Sequence, residues 1–493
     1  MASAGAIKRT LAGVCLSWGR LAHRWLGIAS CLLCVMWFLS GLVMMYVPFP
    51  TYSEADRLST AAPLDAAQIK ISPREALANA QFPAPPNAFV LEMWGREPTY
   101  RLLGAGRAVA ISARDGQRIE SVPVEIAKQR LMEAGFTARL IAETERDQWT
   151  ATSSHNPFRP FYVFALDDDA RTELYVSART GEVVQRTTGH QRFWNYLGAI
   201  PHWIYLTSIR SDAGVWRKVI LWTSGTVVLL ALSGTALGIY RTAARWGIGR
   251  RGLSPFKGWL RWHHLAGLVG GLPLITWIVT GWLSVNPFGL FASMPPLFQN
   301  IPNYYGSERI PFEISAPVVG DIATTTNARQ LSFSWLDGKP LLVANNGAKK
   351  VTVDGRNGAI APLTDEMLSE AAQHLLPDNR IARLQRLTVA DNYWYSHRFP
   401  RPLPVMRMDF DDDIGSWIYV DLYSGRILSI LNNEQRSYRW IFNLFHSLDA
   451  PFLLRNRPLW DVIMILLLLA GLAASCTGTV VAWRALKRAR QVE

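Results

Sequence analysis

The sequence predicts an α+β membrane protein: a four-transmembrane-helix bundle carrying two external α+β domains, built by tandem internal duplication. Three observations predict it. Four apolar runs reach spanning length, the excess positive charge is confined to three short segments, and landmark residues recur at a nearly constant offset.

The apolar runs are residues 25–47, 219–240, 265–285 and 462–483, and none contains Asp, Glu, Lys or Arg. At a rise of about 1.5 Å per residue, each can cross roughly 30 Å of hydrocarbon. The first run is too long for the apolar core of a signal peptide. The stretch "MMYVPFPTY" after it lacks a small-residue cleavage pattern, so it is read as a retained span.

A net charge of +13 suggests nucleic acid until it is located. Residues 1–24, 241–264 and 484–493 together hold fourteen bases and one acid, which is the whole excess. These segments alternate so as to lie on one side. The positive-inside rule then puts both termini and the 241–264 loop in the cytoplasm. A nucleic-acid partner loses its support, and the lipid bilayer takes its place. Residues 48–218 and 286–461 lie outside. Neither segment contains cysteine, so no disulfide framework is expected. The pair Cys31-x-x-Cys34 falls in mid-span and reads as small apolar packing.

The repeat is read from landmarks. "HRWLG" begins at His23 and "HHLAG" at His263. From each, Gly27 and Gly267 follow at +4, Trp37 and Trp277 at +14, and Gly41 and Gly281 at +18, an offset of 240. His202 and His446 each precede a tryptophan by 14 (Trp216, Trp460) and a Gly-Thr pair by 32 (Gly234-Thr235, Gly478-Thr479), an offset of 244. "YVSARTGEVV" (175–184) matches "YVDLYSGRIL" (419–428), and "LDDD" (166–169) matches "FDDD" (410–413). Each half is therefore span, external domain, span. The halves share one orientation about an approximate two-fold axis along the membrane normal.

The external segments read as helices packed on small antiparallel sheets, two such units per half. "ISPREALANA" (71–80) offers Ser72 as an N-cap and Pro73 at the first turn. "TYRLLG", "RAVAISA" and "TELYVSA" are short strands, and "RDG", "RTG", "RNG" and "YSG" are turns. The acidic runs 167–169 and 411–413 read as solvated turns.

Four of the nine histidines are duplicated. His23 and His263 fall at the cytoplasmic edge, His202 and His446 at the external edge. Ionisable groups facing a bundle interior are costly and mark function. Neutral imidazole is a good axial ligand for haem iron. Small residues clear a helix face beside the inner pair: Gly27 and Cys31 after His23, Gly267 and Gly271 after His263. Arg24, Arg192, Arg261 and Arg436 are available to haem propionates. The pattern points to two bis-histidine haems, with His23, His263, His202 and His446 as metal ligands and Arg24, Gly27 and Gly267 lining the cofactor. His264 adjoins His263 as an alternative ligand, which the repeat disfavours. Zinc would need more converging donors than two. A proton relay would need an acid inside a span. His155, His190, His374 and His397 have no counterpart in the repeat and read as domain residues, with His190 and His397 as candidates to meet substrate. The abundant tryptophan reads as interfacial anchoring.

His202 and His446 lie 17 and 16 residues before their spans. The chain between must fold back, bent near Pro451 and Pro458. No nucleotide-binding glycine motif is present, and the cytoplasmic loop is too short for a flavin or nicotinamide domain. The electron donor is expected to be a quinol or a separate cytoplasmic flavoprotein.

"LAHRWLG", "RWHHLAG", "PHWIY" and "FHSLDAPFL" resemble the PepSY-associated transmembrane family over nearly the whole chain. Within it the chain is most similar to inner-membrane ferric-siderophore reductases of Gram-negative bacteria. The resemblance implies periplasmic PepSY-like domains, two b-type haems ligated by His23, His263, His202 and His446, and reduction of a ferric-siderophore substrate to release Fe(II). Some relatives carry a fused flavin-reductase domain, which this chain lacks. Such outer-sphere transfer needs no nucleophile or general acid. The alternative is a non-enzymatic scaffold that binds peptides or restrains proteases. A transporter would require polar groups inside the spans, and these are nearly absent.

Overall fold

The structure, a computed structural model, describes residues 2–291, 296–396 and 401–491; His397 lies outside them. It divides into two units. One comprises Met1–Phe49, Phe193–Ala292 and Ser437–Glu493; the other comprises Pro50–Arg192 and Ser293–Arg436.

The first unit is built on four long helices: α1 (Ala2–Met44), α2 (Ala213–Gly247), α3 (Gly258–Leu283) and α4 (Arg457–Ala489). All four are long and apolar enough to cross a membrane, as expected of a multi-pass membrane protein. A segment that is apolar all round can satisfy its backbone in lipid only as a helix. α1 packs on α2 and α4, and so does α3, which leaves α1 and α3 at opposite corners. Small residues allow the approach. A Cβ on Gly270 would run into the backbone of Ala470, and one on Gly471 into the ring of Phe38. α1 extends far upstream of the predicted span because residues 2–24 contain no proline to stop it. Asp212 caps α2 by accepting from the amides of Gly214 and Val215, and Pro458 opens α4 at its first turn.

The second unit is α+β. Strands β1 (Ala88–Trp94), β2 (Glu97–Gly104), β3 (Arg107–Ser112) and β4 (Arg118–Ile119) come from the first half of the chain. β5 (Ala138–Thr144), β6 (Phe161–Leu166), β7 (Glu173–Ser177) and β8 (Val183–Thr187) follow. The second half supplies β9 (Gln330–Leu336), β10 (Lys339–Asn345), β11 (Lys350–Asp354), β12 (Ile381–Leu387), β13 (Val405–Phe410), β14 (Trp417–Asp421) and β15 (Ile427–Leu431). β5–β8 and β12–β15 form two four-stranded sheets of the same order. Each buries one helix: Val124–Glu133 through Ala127 and Leu131, and Asp365–Gln373 through Leu368, Ala371 and Ala372.

The remaining strands form one sheet of order β11-β10-β9-β1-β2-β3-β4. β1 pairs antiparallel with β9, with Leu91 opposite Leu331. Phe89, Tyr100, Phe312 and Phe333 interlock in its core. The structure thus divides the chain differently from the two separate segments 48–218 and 286–461. Residues 50–192 and 293–436 share a sheet, while residues 193–218 and 437–461 pack with the long helices.

Local expectations in this unit hold. Ser72 accepts from the amide of Glu75, whose carboxylate accepts from the amide of Ser72 in return. Gly116, Gly181, Gly358 and Gly425 take positive φ in the four expected turns. The acidic runs are turns between strands: Asp168 accepts from the Thr172 amide, and Asp412 from the Ser416 amide.

Candidate functional site: two facing histidine pairs

His23 on α1 and His263 on α3 face each other, with ring centroids 6.2 Å apart and planes 21° from parallel. Each ring is held from the neighbouring helix. His23 Nδ1 lies 3.2 Å from the carbonyl oxygen of Leu230 on α2, and His263 Nδ1 lies 3.3 Å from that of Ala474 on α4. A carbonyl can only accept, so Nδ1 carries the hydrogen in both rings. Nε2 is left as a bare lone pair. Glycines make room for the rings. A Cβ on Gly234 would overlap His23, and one on Gly478 would lie 3.1 Å from His263 Cε1.

The second pair is built from short connections. His202 ends the helix Ala199–His202, and His446 lies in Leu444–Ser447. Two residues after each histidine the backbone turns through a positive φ, at Ile204 (49°) and Leu448 (51°). This is the fold-back that returns each histidine to the bundle. Pro451 is not at that bend; it opens the helix Pro451–Arg455 beyond it. The centroids of His202 and His446 lie 6.3 Å apart, with planes at 75°. Ser40 Oγ on α1 lies 3.0 Å from His202 Nδ1, and Thr280 Oγ1 on α3 lies 3.0 Å from His446 Nδ1. Ser40 gives its hydrogen to the Trp37 carbonyl and Thr280 gives its own to the Thr276 carbonyl. With those hydrogens placed on the carbonyls, each hydroxyl has a lone pair for Nδ1–H, the arrangement that leaves Nε2 bare. Burial pushes His202 down to about 4 and His446 down to about 3, so both rings are neutral at neutral pH.

Four tryptophans fix these connections. Trp37 and Trp277 donate from Nε1 to the carbonyls of His202 and His446, each at 2.9 Å. Trp216 and Trp460 donate to the carbonyls of the following residues, Trp203 at 2.8 Å and Ser447 at 2.9 Å. The tryptophans that mark the repeat are thus struts for the histidine-bearing turns, beyond the interfacial anchoring expected of them. Trp277→Phe keeps an aromatic ring but removes the donor and the pyrrole part of the indole. It is expected to cost about 1 kcal/mol in the unfolding free energy, as read by thermal or denaturant unfolding.

The spacing of both pairs has a chemical meaning. Two metal–imidazole bonds of about 2.0 Å, plus roughly 1 Å from each nitrogen to its ring centre, span about 6 Å. The centroid separations of 6.2 and 6.3 Å match that span. Among the described residues, no three His, Cys, Asp or Glu side chains converge as a metal cluster. A two-donor site suits a metal that brings its other ligands with it.

The inner pair opens on a cavity of about 440 Å³. Gly27, Gly267, Gly271, Cys31 and Cys34 line it, as do the cations Arg20, Arg24 and Arg241. That volume is within the range of cofactor pockets. Arg20 and Arg241 were not singled out from the sequence; their place one helical turn from His23 and at the end of the second apolar run was the available signal. Arg192 and Arg436 lie in the other unit, where Arg192 pairs with Glu173 at 3.1 Å and Arg436 stacks over Trp417. His264 also lines the cavity, but its Nε2 is 3.0 Å from the Gly238 carbonyl, and His263 is the ring opposite His23. His155 and His374 are engaged locally with Thr152 and Asp337.

A further correspondence escaped the sequence reading. Tyr175 donates to Asp147 at 2.6 Å and Tyr419 to Asp391 at 2.9 Å, and both members of the pair are shifted by 244. Each aspartate also accepts from backbone amides two and three residues on, so each ties a loop to its sheet.

No curated protein matches the chain. Residues 20–311 match the family model described as the PepSY-associated TM region, a span that takes in His23, His202 and His263. With more than half its length matched and the four long helices in place, the chain belongs to the PepSY-associated transmembrane family.

Proposed function

We propose that the protein is a dihaem inner-membrane reductase. It passes electrons across the bilayer to reduce periplasmic ferric-siderophore complexes from Fe(III) to Fe(II). The observation that carries this reading is the pair of facing imidazole couples, with centroids 6.2 and 6.3 Å apart and every ring held at Nδ1. The recurrence of the Nδ1 partners and the tryptophan donors of the four histidines at an offset of 240 or 244 supports a tandem duplication. The three basic segments support cytoplasmic termini, an inner pair near the cytoplasm and periplasmic α+β domains.

Haem b bound at each pair would supply one-electron redox chemistry. The chain's own contribution is positional. His23 and His263 would hold the inner iron, and His202 and His446 the outer. Leu230, Ala474, Ser40 and Thr280 fix the tautomer and raise ligand basicity. Arg20, Arg24 and Arg241 offer cations to carboxylate groups at the cavity. Siderophores hold Fe(III) with hard oxygen donors and Fe(II) far more weakly, so one electron delivered to the chelate releases the iron. The electron donor on this reading is a quinol or a cytoplasmic flavoprotein. The scaffold alternative gives the four oriented imidazoles no task.

The test is direct. Purified protein should contain two b-type haems per chain by pyridine haemochrome assay. Reduced anaerobically, it should be reoxidised by a ferric trihydroxamate complex, with Fe(II) captured by a ferrous chelator. A colourless preparation refutes the proposal. Gly234→Ala should lower occupancy of the inner site selectively, because its Cβ overlaps His23; Gly13→Ala, with open space around it, should not.

A further inference from the structure

The two histidine pairs are alike in spacing and in being held at Nδ1, by carbonyls at the inner pair and hydroxyls at the outer, but not in the angle between their rings. The inner planes are 21° apart and the outer planes 75° apart. Among the described residues, one contact is found at His446 and at none of the other three rings. Phe442, one helical turn before His446, stacks on that imidazole with centroids 4.8 Å apart and planes 18° apart. Tyr438, one turn earlier again, stacks on Phe442 at 5.2 Å and 19°. The plane of His446 is thus set by an aromatic column on its own segment. At the matching place before His202 stands Gly198, at an offset of 244. A side chain there has no room: its Cβ would lie 2.9 Å from Val43 Cγ1 and 3.1 Å from the Trp194 carbonyl oxygen. Among the described residues, the ring of His202 stacks on no other ring, its one aromatic neighbour being His446. The inner histidines likewise have only each other.

We propose that Phe442 is a positioning residue that crosses the ligand planes at the outer site, making the outer iron electronically distinct from the inner one and easier to reduce. This rests on the dihaem reading. Bound to a haem iron, each imidazole would donate π density into the d orbital perpendicular to its ring. Two parallel rings raise the same orbital, which splits the pair and stabilises the ferric ion, whose hole occupies the raised level. Crossed rings raise one orbital each, so that stabilisation is lost. The ferrous ion, with both orbitals filled, gains nothing from either arrangement. Ligand orientation therefore acts on potential beside ligand identity and the hydrogen bonds around it. The parallel pair lies where electrons would enter and the crossed pair where they would leave, so the difference favours outward flow.

Low-temperature electron paramagnetic resonance of the oxidised wild-type protein tests this. Two low-spin signals are expected, one rhombic and one strongly anisotropic with a single low-field feature. His202→Ala should remove the anisotropic signal alone, together with the higher of two midpoints in a redox titration. Phe442→Leu, which keeps bulk but loses the flat face, should move that signal toward the rhombic form and lower its midpoint, with two haems still bound. Phe442→Tyr, which keeps the face, should preserve both. Two rhombic signals in wild type, or an anisotropic signal and midpoint indifferent to Phe442→Leu, overturn the proposal. If Phe442→Leu sheds the outer haem, the wild-type spectrum and Phe442→Tyr decide. Wild-type protein without haem would sink the dihaem reading as well; two haems with matching spectra and midpoints would sink only this one.

Discussion

Replacing His446 with alanine is expected to cut bound haem from two per chain to one and to abolish reduction of an external ferric chelate. On the dihaem reading His446 supplies one of two nitrogens at its site, and among the described residues its ring faces the single histidine His202. His202→Ala should do the same. His23→Ala and His263→Ala should remove the other haem and leave the spectrum of the outer one. Two neighbours serve as controls. Phe445→Ala changes a half-exposed ring beside His446 and should leave both haems in place. His264→Ala removes a ring held by Gly238 rather than opposed to His23, and it too should retain both. Pyridine haemochrome content and reduced-minus-oxidised spectra read all six variants. Full pigment in both His23→Ala and His446→Ala would rule out the ligand set.

Gly270→Ala is expected to produce the largest loss of stability among single-methyl changes in the bundle. The added Cβ meets the carbonyl group of Ala470, which is backbone and cannot rotate away. α3 and α4 must separate or shift for it to fit. Overpacking of this kind costs about 1–3 kcal/mol, and a contact with rigid backbone puts it at the upper end. Gly13→Ala on α1 meets nothing within 4 Å and should be neutral or slightly stabilising through helix propensity. Thermal unfolding in detergent, followed by circular dichroism, separates the two. Equal midpoints would mean that the two helices do not approach closely at Gly270.

The sequence carried the four helices because a run of twenty apolar residues has one stable form in lipid. It also carried the identity of the paired histidines, because recurrence at one offset turns a weak single-residue signal into a matched set. The choice of His263 over His264 came from the repeat alone, and the ring facing His23 is indeed His263. What could not be read was anything that depends on direction. The tryptophans at +14 were visible as landmarks, yet no spacing says that Trp37 and Trp277 reach the carbonyls of His202 and His446. Arg192 and Arg436 looked available because a sequence does not show that Glu173 and Trp417 already engage them. The pairing of β1 with β9 joins residues too far apart in the chain for local pattern to register. The Asp147–Tyr175 and Asp391–Tyr419 couples were within reach, since both keep the 244 offset, but a tyrosine and an aspartate 28 residues apart attract no notice until they touch.

That shared sheet has a consequence for biosynthesis. Leu91 must wait for Leu331, 240 residues further along, before its strand is covered on that side. Until two more membrane crossings have been made and the second half has emerged, the nascent protein presents an open strand margin to any passing polypeptide. Ribosomal order alone cannot protect it, so the margin stays open until the second half arrives. A gene split between residues 241 and 257 should, by the same token, yield two fragments that are each degraded when made singly and rescue one another when made together.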